Sequence, residues 1–383
     1  MILLLLSCAS EPSSEDAPGE EFVAPPGPSC SDGGACNVPV PEAADPARGL
    51  EPYTVPLPDY IEAMPVPEDN PLTHAGVALG RHLFYEPRLS GNNKQACASC
   101  HQQPRSFTDG LAVSLGSEGQ PADRNAMALV NLAWTAPYFW DGRAPTLEAL
   151  VPVPIQRPDE MNQPMDELLV ELHANPLYLD LFEAAFPGEG ITEETLSKAL
   201  AQFLRTLVSF NAPIDALESE EIVISELEQR GIDLMLRGFP KSDPVPDMCD
   251  ACHSHRAGVE ADAVERNGIY TTNEKKNNGL EADLAMVVPT IRNIAVTGPY
   301  MHDGRLASLD AVLSHYDGGL VAGPELEPPL SREGAPMGME LSTAEREELI
   351  ALMGLFTDKA FLNNPAFGPP VAVERPSAEG EAL

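Results

Sequence analysis

Apolar side chains recur at helical spacing along much of the chain, and this pattern predicts a mainly α-helical protein. In TEETLSKALAQFLRTLVSF one face carries the apolar residues Leu196, Leu200, Phe203, Leu204, Leu207 and Val208. The segment STAEREELIALMGLFTD opens with a capping box from Ser342 to Glu345. Another helix is expected to open at Pro71 and to stop at Pro87. Alternating strand patterns are nearly absent, and long irregular loops fill the gaps.

Both ends of the chain are predicted to lie outside the folded part. Residues 1–8 contain the apolar run ILLLLS before Cys8, which is typical of the end of a lipoprotein signal, although an accidental apolar tip is the alternative. Residues 9–58 are rich in Pro, Gly, Ser and acids, so they are predicted to form a disordered tether. A second disordered tail is expected over residues 366–383.

One long motif occurs twice between these ends. PYFWDGRAPTLEAL at 137–150 returns as PYMHDGRLASLDAV at 299–312, with seven of fourteen positions identical. Each copy follows a CxxCH motif, CASCH in the first half and CDACH in the second. The repeat predicts two cytochrome c-type haem domains related by duplication. The expected boundaries are 59–220 for the N-terminal domain and 221–365 for the C-terminal domain.

Length and charge limit the function. A chain of 383 residues is long enough for two domains with sizeable cores. The formal net charge of −36 argues against nucleic acid, whose phosphates require Lys and Arg. The same charge permits a basic protein partner, while a solvated acidic surface is the plainer alternative.

The CxxCH motifs indicate c-type haem, because two thiols add to the two porphyrin vinyl groups and the following histidine binds the iron. A lone CxxCH is also typical of a zinc half-site or a redox pair, but neither half contains a second cysteine pair. We therefore expect two covalently bound haem c groups. The residues predicted to hold them are Cys97, Cys100 and His101, and Cys249, Cys252 and His253.

The remaining cysteines indicate an exported protein. Cys8 is the expected site of a lipid anchor, and Cys30 and Cys36 are close enough in sequence to form a small disulfide. These uses require an oxidising compartment. The predicted location is the periplasm, with contact to the membrane through the anchor at Cys8.

Several segments together resemble the bacterial di-haem cytochrome c peroxidase/MauG family. They are LGRHLFYEPRLS, CASCHQQ, DRNAMALVNLAW, PYFWDGR, PIQRPDEMN, VPTIRNIAVTGPYMHDGR and HYDGG. The resemblance covers about residues 70 to 357. FYEPRLSGNNKQACASCHQQ with FTDG is similar to the MbnH-type branch, whose members oxidise a tryptophan on a partner protein. The resemblance implies reduction of hydrogen peroxide at the N-terminal haem.

Roles at the first haem follow from this resemblance. Ser117, in GSEGQ, occupies the position of a histidine that caps the first haem in many family peroxidases, so the resemblance implies an open iron. Glu160 matches the family's distal carboxylate, which moves the peroxide proton; read without the family it is an ordinary surface acid. Leu150 stands where the family has a glutamine.

The tryptophan of the first repeat matches a residue that relays oxidising equivalents between the two haems. That residue is Trp140, and large-ring packing between domains is the structural alternative. Trp134 is expected in the core. His302, which replaces Trp140 in the second repeat, is expected to hydrogen-bond near the haem interface.

The resemblance also implies the second haem's distal ligand and a calcium site. Tyr316, in HYDGG, matches the distal ligand position; the competing candidates are His315, Met301, Met337 and Met339. The calcium ligands implied are the Asn125 side chain with the carbonyls of Thr297 and Pro299, although Asn125 also suits an ordinary turn.

These expectations combine into an enzyme that reduces peroxide at the N-terminal haem and passes oxidising equivalents through Trp140 to the second haem. Ser117 and Tyr316 favour oxidation of an exported protein partner. One alternative is a conventional cytochrome c peroxidase with a small cytochrome c or cupredoxin as donor. The other is a non-catalytic di-haem electron carrier.

Overall fold

The computed structural model describes residues 38–370 except 59–60, 62, 220–221, 238–249, 254–274, 282–283, 324–325, 327–329 and 333–334. The helices of the first half are α1 (His74–Phe84), α2 (Cys97–Cys100), α3 (Leu147–Leu150), α4 (Pro152–Gln156), α5 (Met165–His173), α6 (Pro176–Ala185) and α7 (Glu193–Thr206). Those of the second half are α8 (Glu226–Arg237), α9 (Asp250–His253), α10 (Leu309–Ser314), α11 (Thr343–Gly354) and α12 (Lys359–Asn363).

Strands contribute little within the described residues. β1 (Lys275–Lys276) pairs antiparallel with β2 (Met286–Val287), and β3 (Ser331–Arg332) pairs antiparallel with β4 (Ala335–Pro336). Short 3₁₀ turns connect many of the helices; they are Pro46–Arg48, Pro87–Leu89, Gln103–Arg105, Leu132–Trp134, Pro213–Ser219 and Ile294–Val296. The prediction of a mainly helical fold is confirmed. No helix of the described ranges is long and apolar enough to cross a lipid bilayer.

The first core forms where α1 packs closely against α7. A Cβ on Gly80 of α1 would lie 2.0 Å from the backbone oxygen of Ala199 in α7, so only glycine permits this approach. The predicted apolar face of α7 is buried, and Leu207 and Val208 are buried just beyond its end. The predicted start of α1 was wrong: the hydroxyl of Thr73 accepts the amide of Gly76 and caps a helix that begins at His74.

The second core forms where α8 packs against α11. A Cβ on Gly231 would lie 2.2 Å from the backbone oxygen of Glu348. The predicted capping box is confirmed, because Glu345 N donates to Ser342 Oγ at 3.2 Å and Ser342 N donates to Glu345 Oε2 at 2.8 Å. This cap fixes the start of α11 and the direction in which it enters the core.

The tether predicted over 9–58 is wrong for residues 38–58. The ring of Tyr53 is buried in the first core, and its hydroxyl donates to the carbonyl of Glu42 at 2.6 Å. Hydrogen bonds to distant residues also hold this segment: Val38 N donates to Asn211 Oδ1 at 3.1 Å, and Asn364 Nδ2 donates to the carbonyl of Pro41 at 2.9 Å. Residues 1–37, with Cys8, Cys30 and Cys36, lie outside the described residues.

The C-terminal tail also begins later than predicted. Phe367 is 1% exposed and lies in the first core with Phe361, although both follow the second core in sequence. The guanidinium of Arg81 in α1 holds this segment by donating from Nε to the carbonyl of Gly368 at 2.7 Å. The last described residues therefore pack on the opposite half of the molecule, which joins the two halves.

Candidate active site

The first CxxCH motif forms the short helix α2. The amide of Ala96 donates to Ser99 Oγ at 3.0 Å, and the helical turn places Cys97 and Cys100 on one face. His101 follows directly, and its Nδ1 lies 2.7 Å from the carbonyl oxygen of Phe107. Burial lowers the pKa of His101, which favours the neutral ring. An Nδ1–H donor leaves the lone pair on Nε2, the arrangement of a metal-binding histidine.

The second motif repeats this arrangement. His253 ends α9, and its Nδ1 lies 2.9 Å from the carbonyl oxygen of Pro289. Burial lowers the pKa of His253 as well. Cys252 is described, whereas Cys249 lies outside the described residues. The histidine of each motif is therefore neutral and oriented by a backbone carbonyl.

Both motifs open into one cavity of about 410 Å³. Its wall includes Cys97, Cys100 and His101 from the first half and Cys252 and His253 from the second. Within the described residues, none of these side chains joins a group of three potential metal ligands that lie within 4.8 Å of one another. The thiols and single histidines that line the cavity suit haem groups held by thioethers and a histidine ligand.

Glu160 also lines this cavity, held by contacts on two sides. Its backbone oxygen accepts the amide of Ser117 at 2.7 Å, and its Oε1 lies 3.2 Å from Arg157 Nε. Burial raises the pKa of Glu160, while the charge of Arg157 opposes this rise. Leu150 lies on the same wall and offers no polar group there. Glu160 is thus a cavity-lining acid whose pKa is raised by burial.

Trp140 lies where the two halves meet. Its indole Nε1 donates to the carbonyl of Asn125 at 2.9 Å, and its own carbonyl accepts the amide of Val287 at 2.8 Å. Its ring centroid lies 6.4 Å from that of His302, at an interplanar angle of 72°. Trp140 therefore borders the cavity while it contacts both halves of the chain.

The two repeats share their backbone geometry. Phe139 and Met301 have positive φ angles of 66° and 75°, and Gly142 and Gly304 have positive φ angles of 66° and 63°. The hydroxyl of the repeated tyrosine donates to a backbone carbonyl in both copies, at 2.8 Å in the first and 2.9 Å in the second. Trp140 and His302 occupy equivalent positions of the two repeats, and their rings meet edge to face where the halves join.

Known proteins match both the sequence and this architecture. A sequence model described as "Di-haem cytochrome c peroxidase" matches residues 74–221. A "Methylamine utilization protein MauG" from Methylorubrum extorquens is 38% identical over 301 residues, which cover 76% of this chain and 81% of that protein. The chain belongs to the di-haem cytochrome c peroxidase/MauG family.

Two further proteins are similar to this chain, one named as a peroxidase and the other as MauG-like. A "Cytochrome c551 peroxidase" from Nitrosomonas europaea is 33% identical over 242 residues, covering 61% of this chain and 70% of that protein. A crystal structure of "a MauG-like protein associated with microbial copper homeostasis" superposes with a TM-score of 0.68 at 30% identity, covering 82% of this chain and 98% of that chain. The protein is accordingly a di-haem peroxidase, and its family implies haem c.

Tyr316 is the residue predicted to be the distal ligand of the second haem. Tyr316 lies in the π-helical turn His315–Gly319, directly after α10, and lines the cavity. The neighbouring His315 is buried, and its Nε2 lies 2.9 Å from the carbonyl oxygen of Asn278. Of the competing methionines, Met301 and Met339 border the cavity among the described residues and Met337 does not.

The predicted calcium ligands lie beside Trp140. Asn125 is buried, and its Nδ2 donates to the carbonyls of Leu111 and Ala112 at 2.9 and 3.2 Å. Thr297 and Pro299 line the cavity with Asn125. All three residues border the cavity, and the calcium site stays a prediction.

Sequence reasoning missed the ion pairs next to Glu160. Arg157 contacts the carboxylates of Asp159, Glu160 and Asp123. The spacing Arg-x-Asp-Glu in QRPDEM is the available signal, but Asp123 is distant in sequence. It also missed a group formed by Glu281, His302 and Asp303, where Arg305 pairs with both carboxylates.

Proposed function

We propose that this chain is a periplasmic enzyme that reduces hydrogen peroxide at the N-terminal haem and oxidises an exported protein partner. The observation that carries the proposal is one cavity wall shared by His101, His253, Glu160, Trp140 and Tyr316. That arrangement suits a site where peroxide is cleaved near one motif while oxidising equivalents reach the other. The matching backbone geometry of the repeats supports two haem domains related by duplication.

Haem c is held in this proposal by the two CxxCH motifs. Cys97 and Cys100 bind the first porphyrin and His101 its iron; Cys249 and Cys252 bind the second, with His253 and Tyr316 as the ligands of its iron. When bound, the haem iron supplies the redox chemistry and the binding position for peroxide.

Glu160 carries the proton. As a carboxylate it would accept a proton from one peroxide oxygen and return it to the other, which would leave as water once the haem has supplied the electrons. Its position on the cavity wall and its raised pKa support both halves of this exchange. Because its pKa is raised, the Glu160 carboxylate accepts a proton more readily than that of an ordinary exposed glutamate. The protonated Glu160 is still a stronger acid than water, so it can give the proton back.

The partner is proposed to be a protein. Ser117, whose amide binds the carbonyl of Glu160, has no imidazole with which to close the first haem, and Tyr316 suits an iron kept oxidised. The relatives whose names place them with MauG support the same subtype. The charge of −36 favours a basic partner. Anchoring through Cys8 and calcium at Asn125, Thr297 and Pro299 complete the proposal.

Peroxide added to fully oxidised protein, with no reductant, tests this function. The protein is first shown by mass spectrometry to carry two haem additions. We expect peroxide consumption and an immediate change in the visible spectrum, because the Ser117 side chain offers no imidazole that could close the first haem. A family peroxidase whose first haem is capped by a histidine stays inert until it is half-reduced. An electron carrier stays inert throughout, and either outcome contradicts the proposal.

Trp140→Phe tests the relay. We expect both haems to stay bound while peroxide changes the spectrum of the first haem alone, because phenylalanine is harder to oxidise than tryptophan. The lost bond to the Asn125 carbonyl costs about 1 kcal/mol of folding free energy.

Trp134→Phe is the matched control for this relay. Trp134 is buried against Phe210, with ring centroids 5.7 Å apart. It is not among the described residues that line the cavity. Its replacement should lower the free energy of unfolding and leave both spectra responding together. If Trp140→Phe behaves in the same way, Trp140 serves packing and the relay is refuted.

A further inference from the structure

Arg157 lies beside Glu160 on the cavity wall and contacts three carboxylates at once. Its Nε donates to Asp159 Oδ1 at 2.9 Å and lies 3.2 Å from Glu160 Oε1. Its Nη2 donates to Asp123 Oδ2 at 2.8 Å and also to Asp159 Oδ2. The side chain of Arg157 is 27% exposed, so the cluster is only partly screened by solvent.

Burial of Glu160 and the charge of Arg157 act on its carboxyl in opposite directions. Burial is the largest influence on its pKa and raises it, which favours the neutral carboxyl. A neutral carboxyl cannot accept the peroxide proton that the proposed function requires. Leu150 offers no hydrogen bond on this wall. The charge of Arg157 is the largest influence that opposes this rise and favours the ionised carboxyl.

Other charged groups near Glu160 act differently. Arg143 is stacked over the ring of Phe139 at 3.7 Å and pairs with Asp141 at 2.9 Å, and its charge has a smaller effect on Glu160 than that of Arg157. The charges of Asp159 and Asp123 raise the pKa of Glu160. The thiol of Cys100 also lies within its electrostatic reach.

The guanidinium of Arg157 makes unequal contacts with Asp159 and Glu160. The two-pronged contact goes to Asp159, and Glu160 receives a single, longer contact through one carboxylate oxygen. A two-pronged pairing with Glu160 would occupy both of its oxygens and hold it ionised too strongly to return a proton. Asp159 and Asp123 therefore hold Arg157 at a distance from Glu160 that favours the ionised Glu160 carboxylate but still lets it bind a proton.

We infer that Arg157 is a positioning residue that holds the Glu160 carboxylate ionised toward the cavity, and that Asp159 and Asp123 set the strength of this contact. The inference rests on the function proposed for Glu160. It adds a charged group to a distal wall on which Leu150 replaces the family's glutamine. Arg157 acts through Glu160, and it is assigned no contact with peroxide.

Infrared spectroscopy of the holoprotein measures this directly, because a protonated carboxyl group absorbs apart from a carboxylate. Glu160→Gln identifies the band, and its pH titration gives the midpoint for Glu160. Arg157→Gln is expected to move that midpoint to higher pH, by about one pH unit. Asp159→Asn is expected to move it to lower pH, because a negative neighbour is lost and Arg157 is released toward Glu160.

Opposite shifts of the Glu160 titration midpoint in Arg157→Gln and Asp159→Asn distinguish an electrostatic role of Arg157 from a structural one. Both substitutions break the same ion pair, so a merely structural pair predicts similar losses of stability and shifts of the same sign or none. Arg157→Lys keeps the charge and should return the midpoint most of the way toward wild type. Arg88→Gln removes a guanidinium paired with Glu86 at 2.9 Å outside the cavity wall and should change nothing.

An unshifted midpoint in both Arg157→Gln and Asp159→Asn overturns the inference, as does a shift of the same sign in both. Arg157→Lys and Asp159→Asn keep the inference testable if Arg157→Gln fails to fold. The titration does not depend on turnover. If Glu160→Gln leaves peroxide cleavage unchanged while the opposite shifts are observed, the proposed role of Glu160 fails and the action of Arg157 on it stands.

Discussion

Glu160→Gln is expected to slow peroxide cleavage by about 10²–10⁴-fold, the usual loss when a general acid–base group is removed. Glutamine keeps the size of the side chain and the backbone contact from the Ser117 amide, but it can neither accept nor return a proton at neutral pH. Haem content and the fold should be unchanged. Stopped-flow spectroscopy of oxidised protein mixed with peroxide measures the rate, and mass spectrometry confirms both haems.

The pH dependence of the wild-type rate provides a second signature. Because burial raises the pKa of Glu160, the rate should fall as pH decreases through a value above that of an ordinary glutamate. This acid limb should disappear in Glu160→Gln. The control is Glu118→Gln, which changes an exposed acid in the same loop as Ser117 and should leave both rate and limb intact. A Glu160→Gln rate within threefold of wild type would assign the proton transfer to another group.

The sequence predicts those parts of the site that depend on local spacing. CxxCH places two thiols and a histidine within one helical turn, and both described histidines are oriented by backbone carbonyls. The periodic face of α7 and the capping box of α11 are equally local, because both follow from contacts three or four residues apart. Local rules therefore predict these helices and the orientation of the CxxCH histidines.

Contacts between distant segments are not available from such rules. Arg157 reaches Asp123, which is 34 residues away, and Phe367 packs in the first core although it follows the second. Residues 38–58 are held by burial of Tyr53 and by hydrogen bonds to distant residues such as Asn211 and Asn364, so composition misassigns this segment. Whether Tyr316 or His315 faces the cavity depends on the π-helical turn His315–Gly319. A shift of one residue along this turn would exchange the two rings.

Tyr316→Phe is expected to change the spectrum of one haem and to raise its reduction potential by on the order of 0.1 V, within the roughly 0.8 V range set by axial ligands. A phenolate is a hard anionic donor that favours oxidised iron, whereas a methionine thioether favours reduced iron. Phenylalanine keeps the ring against His315, where the centroids lie 5.1 Å apart, and removes only the oxygen. Packing should therefore survive. Spectroelectrochemical titration of the holoprotein gives both potentials.

Tyr300→Phe is the matched control, because Tyr300 also lines the cavity but its hydroxyl donates to the carbonyl of Ile294 at 2.9 Å. Loss of that bond should lower the free energy of unfolding by about 1 kcal/mol and leave both potentials unchanged. If Tyr316→Phe matches wild type in spectrum and potential, Tyr316 is not the ligand, and Met301 or Met339, which share its cavity wall, becomes the candidate. A methionine ligand would raise the potential of the second haem and suit electron uptake from a small redox protein. The same variant therefore decides the ligand and separates protein oxidation from conventional peroxidase turnover.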